Sequence, residues 1–261
     1  MKKVAVIGMG NMGSAIALSI RDRFTLTAFD IDKEKVGVLG FKPSGSIDEA
    51  VEDADIILIA IKPQFIDKDF LKSIKRDGKS YISIAAGIPL SALEKNLGSR
   101  NIARFMPNLA AKEKKAVTAV CFSKDAAEDF KKDAMEVANS IGSAFILPEK
   151  SFSAFIGASG SLIAFALEFI RASAMGAVNM GIPYKEAEKI VSDTVASALT
   201  LLKDGKNAGE VIPSICSASG TTIRGMEALE ENGFANALYK AVKASAERSD
   251  ELEIDSKERL A

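Results

Sequence analysis

Short apolar runs alternate with amphipathic segments over about the first 150 residues of the chain. A short apolar run bounded by turn residues is typical of a buried strand, whereas apolar positions at helical spacing indicate a helix covering one face of a sheet. The alternation predicts a mostly parallel sheet with helices on both faces. The runs that predict strands are residues 3–7, 24–29, 55–61, 81–85, 101–105, 117–122 and 144–147.

The pattern changes after Pro148, where no strand signal remains. Residues 152–180 are apolar on almost every face, and such a helix needs cover on all sides. A small helical domain cannot supply that cover alone, so we expect a partner subunit. Further helices are predicted at 184–203, ending at Asp204 and Gly205, at 221–232, and at 234–249 before a charged tail. The chain is therefore expected to divide into an α/β domain, residues 1–150, and an all-helical domain, residues 151–261.

A glycine-rich turn follows the first apolar run. Its sequence is Gly8-Met-Gly-Asn-Met-Gly13, and Asp30 comes directly after the second run. This is the dinucleotide-binding pattern of a Rossmann fold. The glycines allow a tight turn, admit a pyrophosphate to the backbone and let the helix pack closely, and the acid binds the ribose 2′-OH. The first domain is therefore predicted to be a doubly wound, Rossmann-type domain.

Loops at the carboxyl ends of the predicted strands converge on one edge of the sheet, where ligands bind in this class of fold. Because Asp30 accepts from a 2′-OH but repels a 2′-phosphate, NADH is favoured over NADPH as the cofactor. The alternative for Lys62, Pro63 and Gly87 is that they serve only as strand exits. The residues expected to bind the cofactor are Gly8, Met9, Gly10, Asn11, Met12, Gly13, Asp30, Ala60, Lys62, Pro63, Ala86 and Gly87.

Small and hydroxylated residues, Ser217-Ala-Ser-Gly-Thr-Thr222, precede the predicted helix at 221–232. Backbone N–H groups at such a helix start bind a carboxylate or a phosphate. The alternative is an ordinary capped helix, with Ser219 or Thr221 as the N-cap.

Composition and charge narrow the function. The chain has 261 residues, 48% of them hydrophobic, and a formal net charge of −1. Neither a nucleic-acid partner nor a membrane is expected. There is no histidine, and there are only two cysteines, so histidine-based triads are excluded and no metal site is expected. Reduced thiols and the lack of a leader pattern predict a cytoplasmic protein.

These motifs together resemble the pyrroline-5-carboxylate reductase family over nearly the whole chain. The N-terminal marks are the glycine turn, Ile61-Lys-Pro-Gln64, Ala85-Ala-Gly87 and Arg104-Phe-Met-Pro-Asn108. The most specific mark is Ser217-Ala-Ser-Gly-Thr-Thr-Ile-Arg-Gly-Met-Glu-Ala-Leu-Glu230.

The resemblance implies a Rossmann domain followed by an all-helical dimerisation domain, in homodimers that often assemble further. It implies reduction of the cyclic imine 1-pyrroline-5-carboxylate to proline, with NADPH or NADH as hydride donor. Thr222 matches the family threonine that hydrogen-bonds the ring nitrogen and is the expected catalytic residue. The expected substrate-binding residues are Asn108, Ser219, Gly220, Thr221 and Thr222.

The chain departs from the family pattern where the substrate is expected, whereas the cofactor motifs are intact. The departures put the substrate in more doubt than the reaction type. They are Leu109-Ala110 for Thr-Pro, Leu162-Ile163 for Gly-Pro, Ala218-Ser219 for Pro-Gly, and Arg171 and Met175 at two commonly acidic positions.

Three alternatives remain from the residues. A β-hydroxyacid dehydrogenase needs a lysine on the long helix, and residues 157–181 contain none. A deazaflavin-linked NADP oxidoreductase shares the N-terminal pattern but lacks the Thr-Thr segment. A non-catalytic nucleotide-binding regulator descended from the reductase is the third.

Overall fold

The computed structural model describes residues 1–203 and 205–260. Asp204, the predicted end of one helix, and Ala261, the last residue of the predicted helical domain, lie outside the described residues. A seven-stranded sheet has the order β2-β1-β3-β4-β5-β6-β7. The strands are β1 Lys3–Ile7, β2 Thr25–Phe29, β3 Ile56–Ile59, β4 Ser80–Ser83, β5 Ile102–Pro107, β6 Ala116–Phe122 and β7 Gly142–Ile146.

The predicted mostly parallel sheet is confirmed. Strands β1 to β5 are parallel, β6 is antiparallel to β5, and β7 is parallel to β6. The chain passes from β1 to β2 on one side and then returns to β3 on the other side of β1. This reversal is a topological switch point, and it leaves a crevice beyond the carboxyl ends of β1 and β3.

Helices cover both faces of the sheet. Val4 and Val6 of β1 belong to one buried apolar cluster, and Ala5 and Ile7 belong to a second. A strand buried on both faces must be apolar throughout, which explains the uninterrupted apolar runs. The helices that follow β1 to β6 are α1 Asn11–Ile20, α2 Lys33–Gly37, α3 Ile47–Val51, α4 Lys68–Ile74, α5 Leu90–Leu97 and α6 Glu128–Ser140.

After β7 the described residues form only helical and irregular structure, as the sequence predicts. A π-helical turn, Ile156–Gly160, separates the first two of these helices. The helices are α7 Phe152–Phe155, α8 Leu162–Asn179, α9 Tyr184–Thr200, α10 Ala208–Ile215, α11 Thr221–Glu231 and α12 Phe234–Leu260. Neither α2 nor α10 is predicted from the sequence. Helix α10 contains Pro213, which hides its pattern, but a capping box between Asn207 and Glu210 marks its start.

The compact units differ from the predicted division of the chain at residue 150. One unit comprises Met1–Gly160 and Ser245–Ala261, and the other comprises Ser161–Ala244. The charged segment after residue 249 is not a separate tail, because α12 continues as one helix to Leu260. Leu260 is 1% exposed and belongs to a core cluster of the first unit. Its burial is a long-range contact that the polar composition of this segment conceals.

The second unit leaves much apolar surface uncovered. Ala174 is the only residue of α8 that is buried, and α10 and α11 contain no buried residue. Large apolar side chains are exposed along α8, α9 and α10, including Leu167, Met175, Ile190, Leu199 and Ile215. This surface bears out the expectation that the helical region needs cover from outside its own chain.

One helical run, Glu149–Asn179, is long and apolar enough to cross a membrane when judged by length and composition alone. The sequence predicts no membrane partner, because the charged residues Glu168 and Arg171 interrupt this apolar run. Only 17% of the most apolar window is buried. A helix that is apolar on most faces is equally what a subunit interface requires.

A buried arginine ties three segments of the first unit together. Arg104 of β5 is 1% exposed. Its Nη1 donates to Glu149 at 2.7 Å and to Glu253 of α12 at 3.0 Å, and its guanidinium lies 5.0 Å from the ring centroid of Phe152. The same Glu149 carboxylate accepts from the backbone N–H of Leu90 at 2.7 Å. The cation therefore anchors both the segment after β7 and the end of α12 to the sheet.

Replacing the buried cation tests this anchor. Arg104→Met keeps most of the apolar volume but leaves Glu149 and Glu253 without their shared guanidinium. We expect a loss of about 2–4 kcal/mol in the free energy of unfolding, measured by urea denaturation at fixed protein concentration. Arg248→Met is the control, because the Arg248–Glu251 pair is exposed on α12 and is worth no more than about 1 kcal/mol. Equal losses in the two variants would contradict the anchor role.

Candidate functional site

The glycine turn between β1 and α1 has the geometry that the sequence predicts. Gly8 has a φ of +99°, and a Cβ there would lie 2.7 Å from the Ala60 carbonyl oxygen. A Cβ on Gly13 would lie 2.0 Å from the Gly8 carbonyl oxygen, so no side chain fits between α1 and the sheet. A Cβ on Gly10 would have no neighbour within 4 Å. Gly8 and Gly13 are therefore needed for packing, whereas Gly10 faces open space.

That open space lies at the amino end of α1. Gly10 is the N-cap residue, and no side chain caps the helix. The first N–H groups, at Asn11, Met12 and Gly13, are thus without a capping side chain, and the helix dipole adds partial positive charge. The Ser14 hydroxyl donates to the Met9 carbonyl at 2.8 Å and closes the turn. A diphosphate fits this arrangement of bare backbone donors.

Asp30, at the end of β2, holds the turn in place. One carboxylate oxygen accepts from the Met9 N–H at 2.7 Å, and the other accepts from the Asp32 N–H at 3.0 Å. A carboxylate has about four acceptor sites, so lone pairs remain on both oxygens. Asp30 therefore has a structural role that sequence reasoning missed, in addition to any contact with a ribose hydroxyl.

A cavity of about 470 Å³ opens at the switch point between β1 and β3. Five of the predicted cofactor residues line it: Gly8, Gly10, Asp30, Ala60 and Lys62. Its other walls combine two charged residues, Asp32 and Lys35, with seven apolar ones. None of these nine was predicted to bind the cofactor, and the apolar ones are Ile7, Phe29, Ile31, Ile47, Ile61, Phe65 and Phe70. The sequence carries one signal for these walls, because several apolar residues follow directly after strand ends. Exposed apolar side chains that cluster at such a place indicate a binding site.

Two of these apolar walls are unusually exposed. The residue Ile31 is 93% exposed and Phe65 is 64% exposed. The backbone donors of the cavity lie at the glycine turn, its rim carries apolar faces, and Asp30, Asp32, Lys35 and Lys62 add charged side chains. A flat heterocycle attached to a diphosphate matches this division between apolar walls and backbone donors.

A second cavity, of about 910 Å³, lies on the other side of Gly10. It is lined by Met9, Gly10 and Asn11 from the turn and by Lys35 and Lys112 among its cations. The Lys112 ammonium donates to the Asn11 side-chain oxygen at 2.9 Å. The glycine turn therefore separates two cavities, and cations border the second one.

Only some of the predicted cofactor residues in the loops after β3 and β4 are accessible to a ligand. Lys62 is exposed and lines the smaller cavity, but Pro63 is not among its lining residues. Ala86 is exposed, whereas Gly87 is buried with a φ of +75°. A Cβ on Gly87 would lie 3.3 Å from the Leu252 carbonyl oxygen of α12. The open side of Gly87 thus faces protein, and the strand-exit interpretation of this residue gains support.

Asn108, at the end of β5, is buried and 7% exposed. Its side-chain oxygen accepts from the N–H groups of Ala110 and Val117, each at 3.3 Å, and its amide donates to the Ser159 hydroxyl at 3.1 Å. These bonds connect the loop after β5 with strand β6 and with the π-helical turn. The structure therefore gives Asn108 a structural role beside its predicted part in substrate binding.

The small-residue segment before α11 belongs to the second unit. Helix α11 begins at Thr221 with Gly220 as N-cap, and no side chain caps it. The interpretation of Ser219 or Thr221 as a capping side chain is therefore wrong. Ser219 has a φ of +57°, and a Cβ on Gly220 would lie 2.2 Å from the Ser217 hydroxyl oxygen. A serine in the left-handed region costs about 1–2 kcal/mol, so the turn is held against its own preference.

The amino end of α11 is accessible. Ser219, Thr221 and Thr222 are exposed, and Gly220 is half-buried. Because the first N–H groups of α11 have no capping side chain, they are free of a local competitor for an anion. The predicted substrate residues of this segment are thus brought together, while Asn108 lies in the other unit.

The remaining ionisable groups offer few routes to chemistry. Burial, and to a lesser degree the nearby Glu149 carboxylate, raises the pKa of the Cys121 thiol to about 12, so Cys121 is not a nucleophile near neutral pH. Among the residues that the structure describes, no three His, Cys, Asp or Glu side chains are grouped to hold a metal ion. Ligand binding at this site therefore depends mainly on backbone N–H donors and apolar side chains.

Two family models match the chain in succession. The model described as NADP oxidoreductase coenzyme F420-dependent matches residues 3–87. The model described as pyrroline-5-carboxylate reductase dimerisation matches residues 149–252. The first match covers the glycine turn and the loops after β3 and β4, and the second covers the helical region.

Individual relatives match over nearly the full length. The pyrroline-5-carboxylate reductase of Methanosarcina acetivorans is 35% identical and covers 96% of this chain and 98% of its own. The crystal structure of 1-pyrroline-5-carboxylate reductase from Streptococcus pyogenes has a TM-score of 0.86 at 30% identity, covering 95% of this chain and 97% of its own.

A third relative carries a ligand. The pyrroline carboxylate reductase of Plasmodium falciparum, solved with NADP bound, has a TM-score of 0.86 at 26% identity and covers 97% of this chain and 98% of its own. Fold, motifs and full-length similarity agree, and the chain belongs to the pyrroline-5-carboxylate reductase family.

Proposed function

We propose that this protein reduces 1-pyrroline-5-carboxylate to L-proline with NADH or NADPH. The observation that carries the proposal is the intact glycine turn, in which open space above Gly10 meets the uncapped amino end of α1. Membership of the reductase family supplies the reaction class, an oxidoreductase acting on a C=N bond.

Each half of the dinucleotide has a proposed place. The amino end of α1 binds the diphosphate, and the cavity between Ile31 and Phe65 takes the adenosine. Lys62, Pro63, Ala86 and Gly87 are proposed for the nicotinamide side. Among these, Lys62 and Ala86 have exposed side chains, while Gly87 acts by shaping its loop.

When bound, the dinucleotide supplies the hydride that adds to the imine carbon. The chain then has three tasks: to hold the substrate carboxylate, to orient the ring nitrogen, and to leave the imine protonated. The backbone N–H groups at Gly220, Thr221 and Thr222 are proposed to hold the carboxylate. The Thr222 hydroxyl is proposed to hydrogen-bond the ring nitrogen.

This division of labour explains how the chain works without histidine. A protonated cyclic imine is already an electrophile, so hydride addition needs no strong general acid. Hydride addition turns the protonated imine into a neutral amine, and this nitrogen then takes one proton from water. Hydride transfer requires reacting carbons about 3–3.5 Å apart.

The protein is also proposed to act as a homodimer. The support is the exposed apolar surface of α8 to α11 and the match of residues 149–252 to a dimerisation model. Further assembly of dimers and a cytoplasmic location are proposed from the resemblance and the composition. The division into a dinucleotide-binding region, 1–150, and a dimerisation and substrate region, 151–261, is proposed as a division of function.

A turnover assay tests the function. Purified protein is given 1-pyrroline-5-carboxylate and NADH or NADPH, and oxidation of the cofactor and formation of proline are both measured. Turnover at a kcat of about 1 s⁻¹ or more is expected, within the common range for enzymes. Dinucleotide binding without turnover would favour the non-catalytic regulator, and turnover of a different imine or oxo acid would reassign the substrate.

Filling the space above Gly10 is expected to abolish cofactor binding. Gly10 has a φ of −71°, so valine is allowed there and the fold is retained. The side chain would occupy the place of the pyrophosphate, and we expect the Kd for NADH to rise by at least about 100-fold, or 2.7 kcal/mol. Gly37→Val is the control, because a Cβ on Gly37 also meets open space. Unchanged binding by Gly10→Val would remove this turn from the cofactor site.

Asp30 is expected to favour NADH over NADPH. Its carboxylate repels a 2′-phosphate, and Asp30→Ser removes that charge. Because Asp30 also holds the Met9 N–H, the variant is expected to weaken binding of both cofactors. The informative quantity is the ratio of kcat/KM values, in which this common loss cancels. A tenfold preference of the wild type for NADPH, or an unchanged ratio in the variant, would contradict the prediction.

Thr222 is expected to matter for the imine and not for the dinucleotide. Thr222→Val keeps the shape and removes one hydrogen bond to a charged group. We expect kcat/KM for the imine to fall about 10- to 100-fold, which corresponds to about 1.5–3 kcal/mol, with little change in the Kd for NADH. Ser219→Ala should cost much less, because the backbone N–H groups are retained. Full turnover by Thr222→Val would withdraw the catalytic assignment.

A further inference from the structure

The last residues of α12 belong to the first unit, and they contact the loops after two strands of its sheet. The Arg259 Nη2 donates to the Pro63 carbonyl at 2.8 Å, in the loop after β3. Leu252 and Ser256 lie against Gly87, in the loop after β4. The inference below rests on the proposed dinucleotide site, because both loops belong to it.

This end of α12 is firmly attached to the body of the unit. Glu253 receives a hydrogen bond from buried Arg104, and Leu260 is 1% exposed within the apolar core. Ser256 is 6% exposed, and the Ser249 and Ser153 hydroxyls lie 3.3 Å apart. The helix end is thus a rigid support, and a contact that it makes with a loop restrains that loop.

The loop that Arg259 contacts forms a wall of the smaller cavity. Residues Pro63–Phe65 form one 3-10 turn, closed by a hydrogen bond from the Phe65 N–H to the Lys62 carbonyl at 3.0 Å. Phe65 lines the cavity but is 64% exposed, so packing alone does little to hold it. The Pro63 carbonyl accepts from the Ile66 N–H within the turn and from Arg259 outside it.

We propose that Arg259 is a positioning residue of the cofactor site: it holds the Pro63–Phe65 turn, and through it the Phe65 wall of the adenosine cavity. A cation suits this task, because its bond to a carbonyl is charge-assisted and spans from the helix to the loop. The contact of Leu252 with Gly87 supports the loop on the nicotinamide side in the same way. Arg259 contacts neither of the reacting atoms, so it affects the affinity for the cofactor and not the rate of hydride transfer.

Binding of two probes tests the proposal. NADH carries both halves of the cofactor, whereas ADP carries only the adenosine and diphosphate half. For Arg259→Met we expect the Kd values of NADH and ADP to rise by the same factor, about three- to tenfold, as for the loss of one hydrogen bond. The KM for NADH rises with them, and kcat at saturating NADH stays within about twofold of wild type. Arg259→Lys, which keeps a donor, recovers part of the affinity.

Arg248→Met is the matched control, since it removes an arginine from the same helix whose partner, Glu251, is also on α12. Its Kd values should equal those of the wild type, and thermal unfolding of all variants verifies the fold. If the wild type bound neither probe, the proposed function itself would fail. Suppose instead that the wild type binds both probes. The role of Arg259 is then refuted if Arg259→Met binds both as tightly as the wild type, or if it loses affinity only for NADH. It is also refuted if the Arg248→Met control loses as much affinity as Arg259→Met.

Discussion

The close approach of α1 to the carboxyl ends of β1 and β3 is the constraint on which the rest of the structure depends. It leaves no room for a side chain at Gly13, where a Cβ would lie 2.0 Å from a backbone oxygen. The approach places the amino end of α1 over the switch point of the sheet, and both cavities form around it. Asp30 secures the turn from β2, so three neighbouring strands hold one anion site.

The chain uses uncapped helix starts in both of its units. Helices α1 and α11 both begin after a glycine N-cap with no side-chain hydrogen bond. Four other helices are capped by a side chain, with Asp32, Ser46, Asp67 and Asn207 as acceptors, whereas α5 to α9 also begin without one but after a proline, alanine or serine. A glycine N-cap costs only a few tenths of a kcal/mol relative to a capping side chain, so it leaves the N–H groups open for an anion at little loss of stability.

A buried ion-pair cluster attaches the end of α12 to the sheet of the first unit. Arg104 joins a central strand to Glu149 and Glu253, two carboxylates far apart in sequence. The cation is desolvated, and two carboxylates at Nη1 and the face of Phe152 replace part of its water, while the buried Nε has no hydrogen-bond partner. Because α12 is anchored there, its last residues can restrain the loops near Pro63 and Gly87.

The sequence by itself determined the sheet, the glycine turn and the helical second half. Apolar runs and glycine spacing are local signals, since they reflect burial on two faces and backbone clearance within one turn. The exposed apolar rim of Ile31 and Phe65 is marked only by apolar residues after strand ends, and the buried role of Asn108 carries no local signal.

Only the tertiary structure decided where residues 245–260 belong. Their charged composition is typical of a solvated tail, and the burial of Leu260 and the pairing of Glu253 arise from contacts with residues about 100 or more positions earlier. The start of α11 was decided in the same way. The sequence offers Ser219 and Thr221 as caps, and only the folded turn, with Ser219 at positive φ, leaves Gly220 as the N-cap and the N–H groups open.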